Sequence, residues 1–224
     1  MLRSALSGVR QHLGPVAMRV SLVLLICGVL GLAGDARPGH VEAGKKQKHA
    51  GTFVNNGVLV GPSGAVGAMN PYPSTIRVAG MKGRIKDVNV TLSEIRHGWP
   101  DDLQVLLVGP GGESTLLMSG TGGGSSTVLQ GVTLHLDDQA SRLLPDDARL
   151  QSGTFAPTSF AAPALPLGPP TGAGTGIVSL SAFDGTNANG EWQLFVADTG
   201  NAGYDGDIAG GWKLTIKTGG KKKR

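Results

Sequence analysis

The sequence predicts an all-β protein, a β-sandwich of jelly-roll type with about eight to ten short antiparallel strands. Three observations support this fold class. Glycine (37 residues) and proline (13 residues) are frequent in a chain of 224 residues, as many tight turns require. Apolar and polar residues alternate in many short runs. After residue 40, no stretch shows the 3.6-residue period of an amphipathic helix.

The strands follow from this alternation in chain order. The clearest one begins at Ile85, because Val88, Val90 and Leu92 then alternate with polar residues. An Asn-Asn-Gly turn separates the first two strands, and a Pro-Tyr-Pro segment forces extended backbone before the third. The predicted strands are residues 52–54, 58–60, 74–78, 85–92, 103–108, 115–118, 132–136, 177–180, 192–196 and 212–216.

Two further features position the core. Trp192 and Trp212 open the last two strands in a chain that is only 4% aromatic, so they should mark the centre of the core. The six prolines between residues 143 and 170 exclude a central strand or a helix there. We expect a long surface connection in that region, anchored by Leu150 and Phe155.

The two ends of the chain differ from its middle. Residues 1–43 have a basic start, an apolar run and small residues, which is typical of a signal peptide and indicates a secreted or cell-envelope protein. An uncut membrane anchor is the alternative. Residues 44–50 are a basic lead-in, and residues 218–224 form a basic tail. That tail is either simply solvated or attached weakly to an anionic envelope polymer.

Composition excludes several classes of protein. The one cysteine, Cys27, lies in the apolar leader, which excludes a disulfide framework and a cysteine-ligated zinc site. Residues 49–220 contain 9 Lys and Arg against 14 Asp and Glu, a net charge of −5. The expected domain, residues 51–217, is therefore acidic, and we expect no nucleic-acid partner.

Several motifs occur in order along this domain. The first half contains a valine strand at 88–92 followed by His97, an Asp-Asp-Leu element at 101–103 and a strand that ends in Pro-x-Gly at 107–112. An Asp-Asp-x-Ala element follows at 137–140. Residues 183–198 contain Phe-x-Gly, then Asn-Gly-x-Trp-x-Leu, then Asp198, and Trp-x-Leu-x-Ile closes the domain at 212–216. Together they resemble the P domain (Homo B domain) of kexin- and furin-like proprotein convertases.

The resemblance implies a jelly-roll β-sandwich that, in convertases, packs against a subtilisin-like serine protease domain and supports it. This sequence has no subtilisin-like Gly-Thr-Ser or His-Gly-Thr-His segment. A Ser/His/Asp triad needs a nucleophile beside a base that a carboxylate orients. We therefore expect a chain that is not an enzyme on its own, with His97 as a loop or structural residue.

Carboxylates collect where the predicted strands end. Brought together, they would repel one another unless a hard cation such as Ca²⁺ joined them. The best candidate ligands are Asp101, Asp102 and Asp138. The other interpretation is that these acids cap turns and face water. The Asp-rich loop at 198–207 lacks the glutamate that closes an EF-hand loop.

Three functional hypotheses remain open at this stage. The first is a secreted, non-catalytic module that binds a protein or an envelope polymer. The second is an accessory piece that docks onto a separate subtilisin-like protease. The third is a carbohydrate-binding jelly roll, for which Tyr72, Trp99 and Tyr204 are the available aromatic residues.

Overall fold

The computed structural model describes residues 48–162, 164–166, 178–200 and 203–219. The predicted signal peptide, most of the basic lead-in, Ile177 and the tail after Gly219 lie outside these residues. The chain divides into two compact units, Met1–Glu42 and Ala43–Arg224, and every described residue belongs to the second. None of the helices in the described ranges has the length and apolar character needed to span a membrane.

Thirteen strands among the described residues form two sheets. The seven-stranded sheet consists of β1 (Ala50–Asn55), β2 (Leu59–Val60), β5 (Arg84–His97), β8 (Leu129–Leu136), β9 (Gly153–Phe155), β12 (Gly206–Ile208) and β13 (Trp212–Gly219). The six-stranded sheet consists of β3 (Gly67–Ala68), β4 (Ser74–Val78), β6 (Leu103–Val108), β7 (Ser114–Ser119), β10 (Thr158–Ser159) and β11 (Gly190–Asp198). Three short 3₁₀ helices cover Pro100–Asp102, Ser125–Thr127 and Leu180–Phe183.

The strand order confirms the predicted all-β sandwich. The larger sheet runs β1-β13-β5-β12-β2, and β8 and β9 extend it from the other side of β5. The smaller sheet runs β10-β7-β6-β11-β3, with β4 also paired to β11. Two pairs, β8–β9 and β7–β10, are parallel, which corrects the prediction of antiparallel strands throughout. Both β9 and β10 are edge strands supplied by the proline-rich connection.

The two tryptophans lie at the centre of the core, as predicted. Trp192 on β11 and Trp212 on β13 belong to different sheets, and both are fully buried. The Trp212 indole Nε1–H donates to Ser74 Oγ on β4 at 2.9 Å, so one hydrogen bond crosses from sheet to sheet. Trp192 packs against the Phe183 ring at a centroid distance of 4.8 Å. Aromatic packing and satisfied indole donors therefore fix the spacing of the layers.

Strand β5 is the longest element and is longer than predicted. Alternation ends at Leu92, where the sequence predicts the end of the strand, but the strand continues to His97. The pairing register with β8 shifts between Leu92 and Ile95, and Glu94 has φ of 56°. This bulge inserts residues without ending the strand, and Ile95 and His97 then lie buried again.

Two other local predictions are corrected by side-chain hydrogen bonds. Strands β1 and β2 do not pair with each other, because Asn55 Oδ1 accepts from Gly57 N–H at 2.8 Å and turns the chain away. Residues 178–180 were expected in a strand, but Leu180 begins a 3₁₀ helix. Ser179 and Asp138 accept hydrogen bonds from its first backbone N–H groups, which favours the helical turn.

The connection after β8 follows the prediction for its anchors. Leu150 and Phe155 are both buried in the main core. The segment also crosses the outer face of the six-stranded sheet, where a second, smaller hydrophobic cluster lies. All six residues of β6 are buried, because both faces of that strand are covered.

Candidate functional site

Asp101 and Asp102 lie in the short helix Pro100–Asp102, which joins β5 to β6. Proline fits the first position of this turn since its missing N–H is not needed there. The Asp101 backbone N–H donates to Gly123 O at 3.1 Å, which ties the turn to a neighbouring loop. Asp101 Oδ1 is buried and has no hydrogen-bond partner.

Several carboxylates surround this turn, and we call them the acidic end of the sandwich: Asp101, Asp102, Asp146, Asp147 and Asp198. Burial is the main cause that raises the pKa of the Asp101 carboxyl above its ordinary value of 3.8. Repulsion by three of the other four carboxylates adds to it, that of Asp146 most strongly. Burial and the neighbouring carboxylates therefore both disfavour the charged form of Asp101.

A buried imidazole and carboxylate stand beside the turn. His97 Nε2 lies 3.4 Å from Asp198 Oδ2, and the two residues are 1% and 2% exposed. His97 Nδ1 accepts from the Trp99 backbone N–H at 3.1 Å. Burial raises the pKa of Asp198, while the Gly200 N–H and His97 partly offset that rise. The pair links the end of β5 to the end of β11.

Hydrogen bonds to the backbone also join the turn at Asp102 to the end of β11. Thr199 N–H and Thr199 Oγ1 both donate to Asp102 O, at 2.9 and 3.1 Å. A Cβ on Gly200 would overlap the Asp102 carboxylate, so only glycine fits at this approach. No local spacing in the sequence indicates that Asp198 approaches Asp101 and Asp102, because the contact joins segments about 97 residues apart.

Asp138 lies elsewhere. It follows β8 at the end where Leu136 pairs with Val90, whereas the opposite end of β8 pairs with His97. Its carboxylate accepts from Ser179 Oγ (2.6 Å), Leu180 N–H (2.9 Å) and Ser181 N–H (2.7 Å). Asp138 thus caps the helix Leu180–Phe183 and does not converge with the acidic end.

The remaining acids of the Asp-rich loop separate as well. Asp205 accepts from Ser63 Oγ and from Gly64 N–H, at 3.2 and 2.6 Å. Asp207 forms an ion pair of 3.6 Å with Arg96. Across the described residues, no three His, Cys, Asp or Glu side chains are arranged so that they could hold a metal ion.

The three aromatic residues noted for carbohydrate binding lie in two places. Trp99 and Tyr204 pack against each other near the acidic end, with ring centroids 5.0 Å apart. Tyr72 packs edge-to-face on Phe195, on the outer face of the six-stranded sheet, also at 5.0 Å. Each half-buried ring thus packs against another ring of the protein, and the three do not form one flat platform.

Comparison with known proteins gave few matches. No family model and no curated protein matches this chain. Among solved structures, the chain is similar to the crystal structure of the Aeromonas sobria serine protease in complex with the chaperone. The TM-score is 0.35 at 15% sequence identity, over 75% of this chain. The match spans 26% of the other chain, about a quarter of its length.

Proposed function

We propose that this chain is a non-catalytic β-sandwich module of P-domain type that is exported and binds another protein. The observation that carries the proposal is the position of His97. This imidazole is buried, one of its nitrogens is held by a backbone N–H, and the other faces a buried carboxylate. A general base needs an accessible nitrogen near a nucleophile. The geometry instead supports a structural pair that joins two strand ends.

The motifs that carry the family resemblance also have structural roles. Trp192 and Trp212 form the core, and Asp138 caps a helix. Gly190, with φ of 138°, lies against the ring of Pro110, so the Asn-Gly and Pro-x-Gly motifs meet. Residues that build a fold are what a supporting module shares with its relatives. This favours the module over the carbohydrate-binding alternative, whose three aromatic residues pack against other rings in two separate places.

The partner that we propose first is a separate subtilisin-like protease, which the chain would stabilise as an accessory piece. Another secreted protein is the second choice, and an anionic envelope polymer bound through the basic tail is the third. The test is complementation: a kexin-type catalytic domain is produced without its own P domain, with and without this chain. We expect a higher yield of active protease when this chain is present.

Two controls make that test specific. Heat-denatured chain should give no gain, and the purified full chain alone should cleave no fluorogenic peptide. Peptide cleavage by the pure chain that is lost in His97→Ala would refute the non-catalytic role. No gain in protease yield and no binding to the catalytic domain would reject the accessory role and leave the other partners.

We also propose that Ca²⁺ binds at the acidic end, with Asp101 and Asp102 as ligands. Two observations support this: Asp101 Oδ1 is buried without a partner, and burial and neighbouring carboxylates raise the pKa of Asp101. A bound divalent cation would coordinate the buried oxygen and offset the repulsion between the carboxylates. The exposed Asp146 and Asp147 must move inward to complete the ligand set. Asp138 does not fit, since its oxygens already cap a helix.

Thermal unfolding with Ca²⁺ and with chelator tests this site. A ligand that binds only the folded state raises stability by about 2.7 kcal/mol when its free concentration is a hundred times Kd. The shift should disappear in the double variant Asp101→Asn/Asp102→Asn and persist in Asp138→Asn. If the wild-type chain shows no shift, the acidic end does not bind Ca²⁺ and the proposal is wrong.

A further inference from the structure

The outer face of the six-stranded sheet carries a hydrophobic cluster that is separate from the main core. Its members are Leu106, Val108, Leu116 and Phe195, each no more than 3% exposed. Leu106 pairs in register with Leu116 on one side and with Phe195 on the other. The cluster is therefore one apolar row across β7, β6 and β11. On the face of a sheet that points away from the core, such a row needs a cover.

The cover is a short proline-containing segment, residues 160–162 and 164–166, which we call the strap. Tyr72 and Leu165 pack on the cluster. The strap itself is largely open to solvent, and the Phe160 side chain is 50% exposed. Nothing from the strap belongs to the main core. It therefore lies on the sandwich as an outer layer whose removal would leave the core packing in place.

The strap is held mainly by side chains that bind its backbone. Ala164 N–H donates to Gln104 Oε1 at 2.7 Å, and Gln104 Nε2 donates to Ala162 O at 3.4 Å. The Tyr72 hydroxyl donates to Pro166 O at 3.0 Å. One amide thus recognises both a carbonyl and an N–H of an extended chain, and a phenol recognises a proline carbonyl.

This chemistry is that of a receptor for extended proline-rich peptide. Such peptides are bound by aromatic walls together with polar side chains that contact the backbone, because proline-rich chains are already extended and lose little entropy on binding. Tyr72 and Phe195 supply the aromatic wall here, and Gln104 supplies the backbone contacts. The strap shows which ligand the surface accepts, since it is seated there.

We propose that the groove formed by Tyr72, Gln104, Leu106, Val108, Leu116 and Phe195 is a binding site for an extended, proline- and alanine-rich segment of a protein partner, and that the strap occupies it in cis until such a segment competes. The inference goes beyond the proposed function, because it holds whether or not the partner is a protease. A tethered segment has an effective concentration in the millimolar range, so the strap keeps weak competitors out.

The test uses a fluorescent synthetic peptide with the sequence of residues 158–170 and the full chain. The strap is weakened by Leu165→Ser, which removes its apolar contact and leaves every groove residue intact. We expect the peptide to bind this variant at least about tenfold more tightly than the wild-type chain, since the tethered competitor is weaker. Adding Gln104→Ala to the weakened chain should reduce binding at least about threefold. A peptide with serine in place of each leucine and proline is the matched control.

Several results would overturn the proposal. Equal affinity for the wild-type and weakened chains, or for the peptide and its serine control, would make the strap a fixed structural cover. Sedimentation that shows a dimer held by exchanged straps, with no peptide bound, would assign the groove to a second copy of this chain.

Misfolding of the Leu165→Ser variant would not end the test, because the wild-type chain offers a second readout. Excess peptide should speed hydrogen exchange of the Ala164 amide, which the groove protects through Gln104. Unchanged exchange at saturating peptide would contradict displacement of the strap.

Discussion

Two Asp-Asp pairs, Asp101-Asp102 and Asp137-Asp138, resemble each other in sequence and differ in the fold. Each borders a strand, and each was expected to supply Ca²⁺ ligands. In the structure Asp138 accepts three hydrogen bonds and caps a helix. Asp101 keeps a buried oxygen without a partner and faces other carboxylates. The fold satisfies the Asp138 carboxylate, whereas one buried oxygen of Asp101 is left without a hydrogen-bond partner.

The two aspartate pairs differ because different parts of the chain pack against them. The Asp138 carboxylate accepts hydrogen bonds from the backbone N–H groups of Leu180 and Ser181, 42 and 43 residues further along the chain. Asp101 meets the turn that carries Asp146 and Asp147, which adds more negative charge. Distant neighbours therefore decide whether an aspartate at a strand end caps a turn or keeps an unpartnered oxygen. Three changes test this contrast.

The largest effect is expected for His97→Leu, which removes the imidazole that faces the buried Asp198 carboxylate. Removing one member of a buried pair costs about 3–5 kcal/mol, because the remaining charge stays desolvated. The double variant His97→Leu/Asp198→Asn should recover part of that loss. Urea denaturation measures both free energies of unfolding. A double variant no more stable than His97→Leu would mean that the pair is not what supports this corner.

A smaller loss is expected for Asp138→Ala, about 2–3 kcal/mol, because N–H donors at the start of a helix lose a charged acceptor. Asp138→Asn keeps one acceptor oxygen and should lose about half as much. Asp146→Ala, an exposed acid at the other end, is the matched control and should stay within about 0.5 kcal/mol. Thermal unfolding in chelator gives the comparison. Equal effects at positions 138 and 146 would remove the contrast between the two ends.

The smallest effect concerns pH. Because the pKa of Asp101 is raised in the folded state, the folded chain holds this proton more tightly than the unfolded chain. Wild-type stability should therefore fall relative to Asp101→Asn as pH rises from 3.8 through the raised pKa. Below that window the two chains should agree. At pH 7 in chelator, Asp101→Asn should be more stable by less than about 1 kcal/mol.

The melting-temperature difference between these two chains, recorded from pH 3 to 7, measures the linkage. A difference that does not change with pH would mean that Asp101 titrates as an ordinary exposed carboxyl.

Local patterns were sufficient for most of the strands. Val88, Val90 and Leu92 alternate, and the structure places all three in the core. Alternation failed at Glu94, because a bulge shifts the period and the strand continues beyond it. The Asn-Asn-Gly turn was predicted to join two paired strands, and this prediction was wrong. The Asn55 side chain caps a turn between strands that do not pair with each other. In both cases a local feature, an inserted residue or a side-chain hydrogen bond, changed the structure that the alternation of apolar and polar residues predicts.

The candidate site was less predictable from the sequence. Asp101 and Asp102 are adjacent, so their proximity needed no structure. The approach of Asp198 depends on β6 and β11 pairing until Asp198 lies opposite Leu103, which no local signal encodes. The strap was expected only as an irregular surface connection. Gln104 looked like one polar residue in a buried strand, and its two backbone contacts depend on a segment far along the chain.

The position of β13 has a consequence for how the protein is made. This last strand lies between β1 and β5, so the first strand of the domain joins its sheet only through the last. A ribosome delivers β1 early, and its edge stays unpaired until almost the whole chain has been synthesised. A chain cut short before Trp212 would therefore lose β13 and leave β1 without a partner strand in the larger sheet. This side of the sheet forms only after nearly the whole domain has been synthesised.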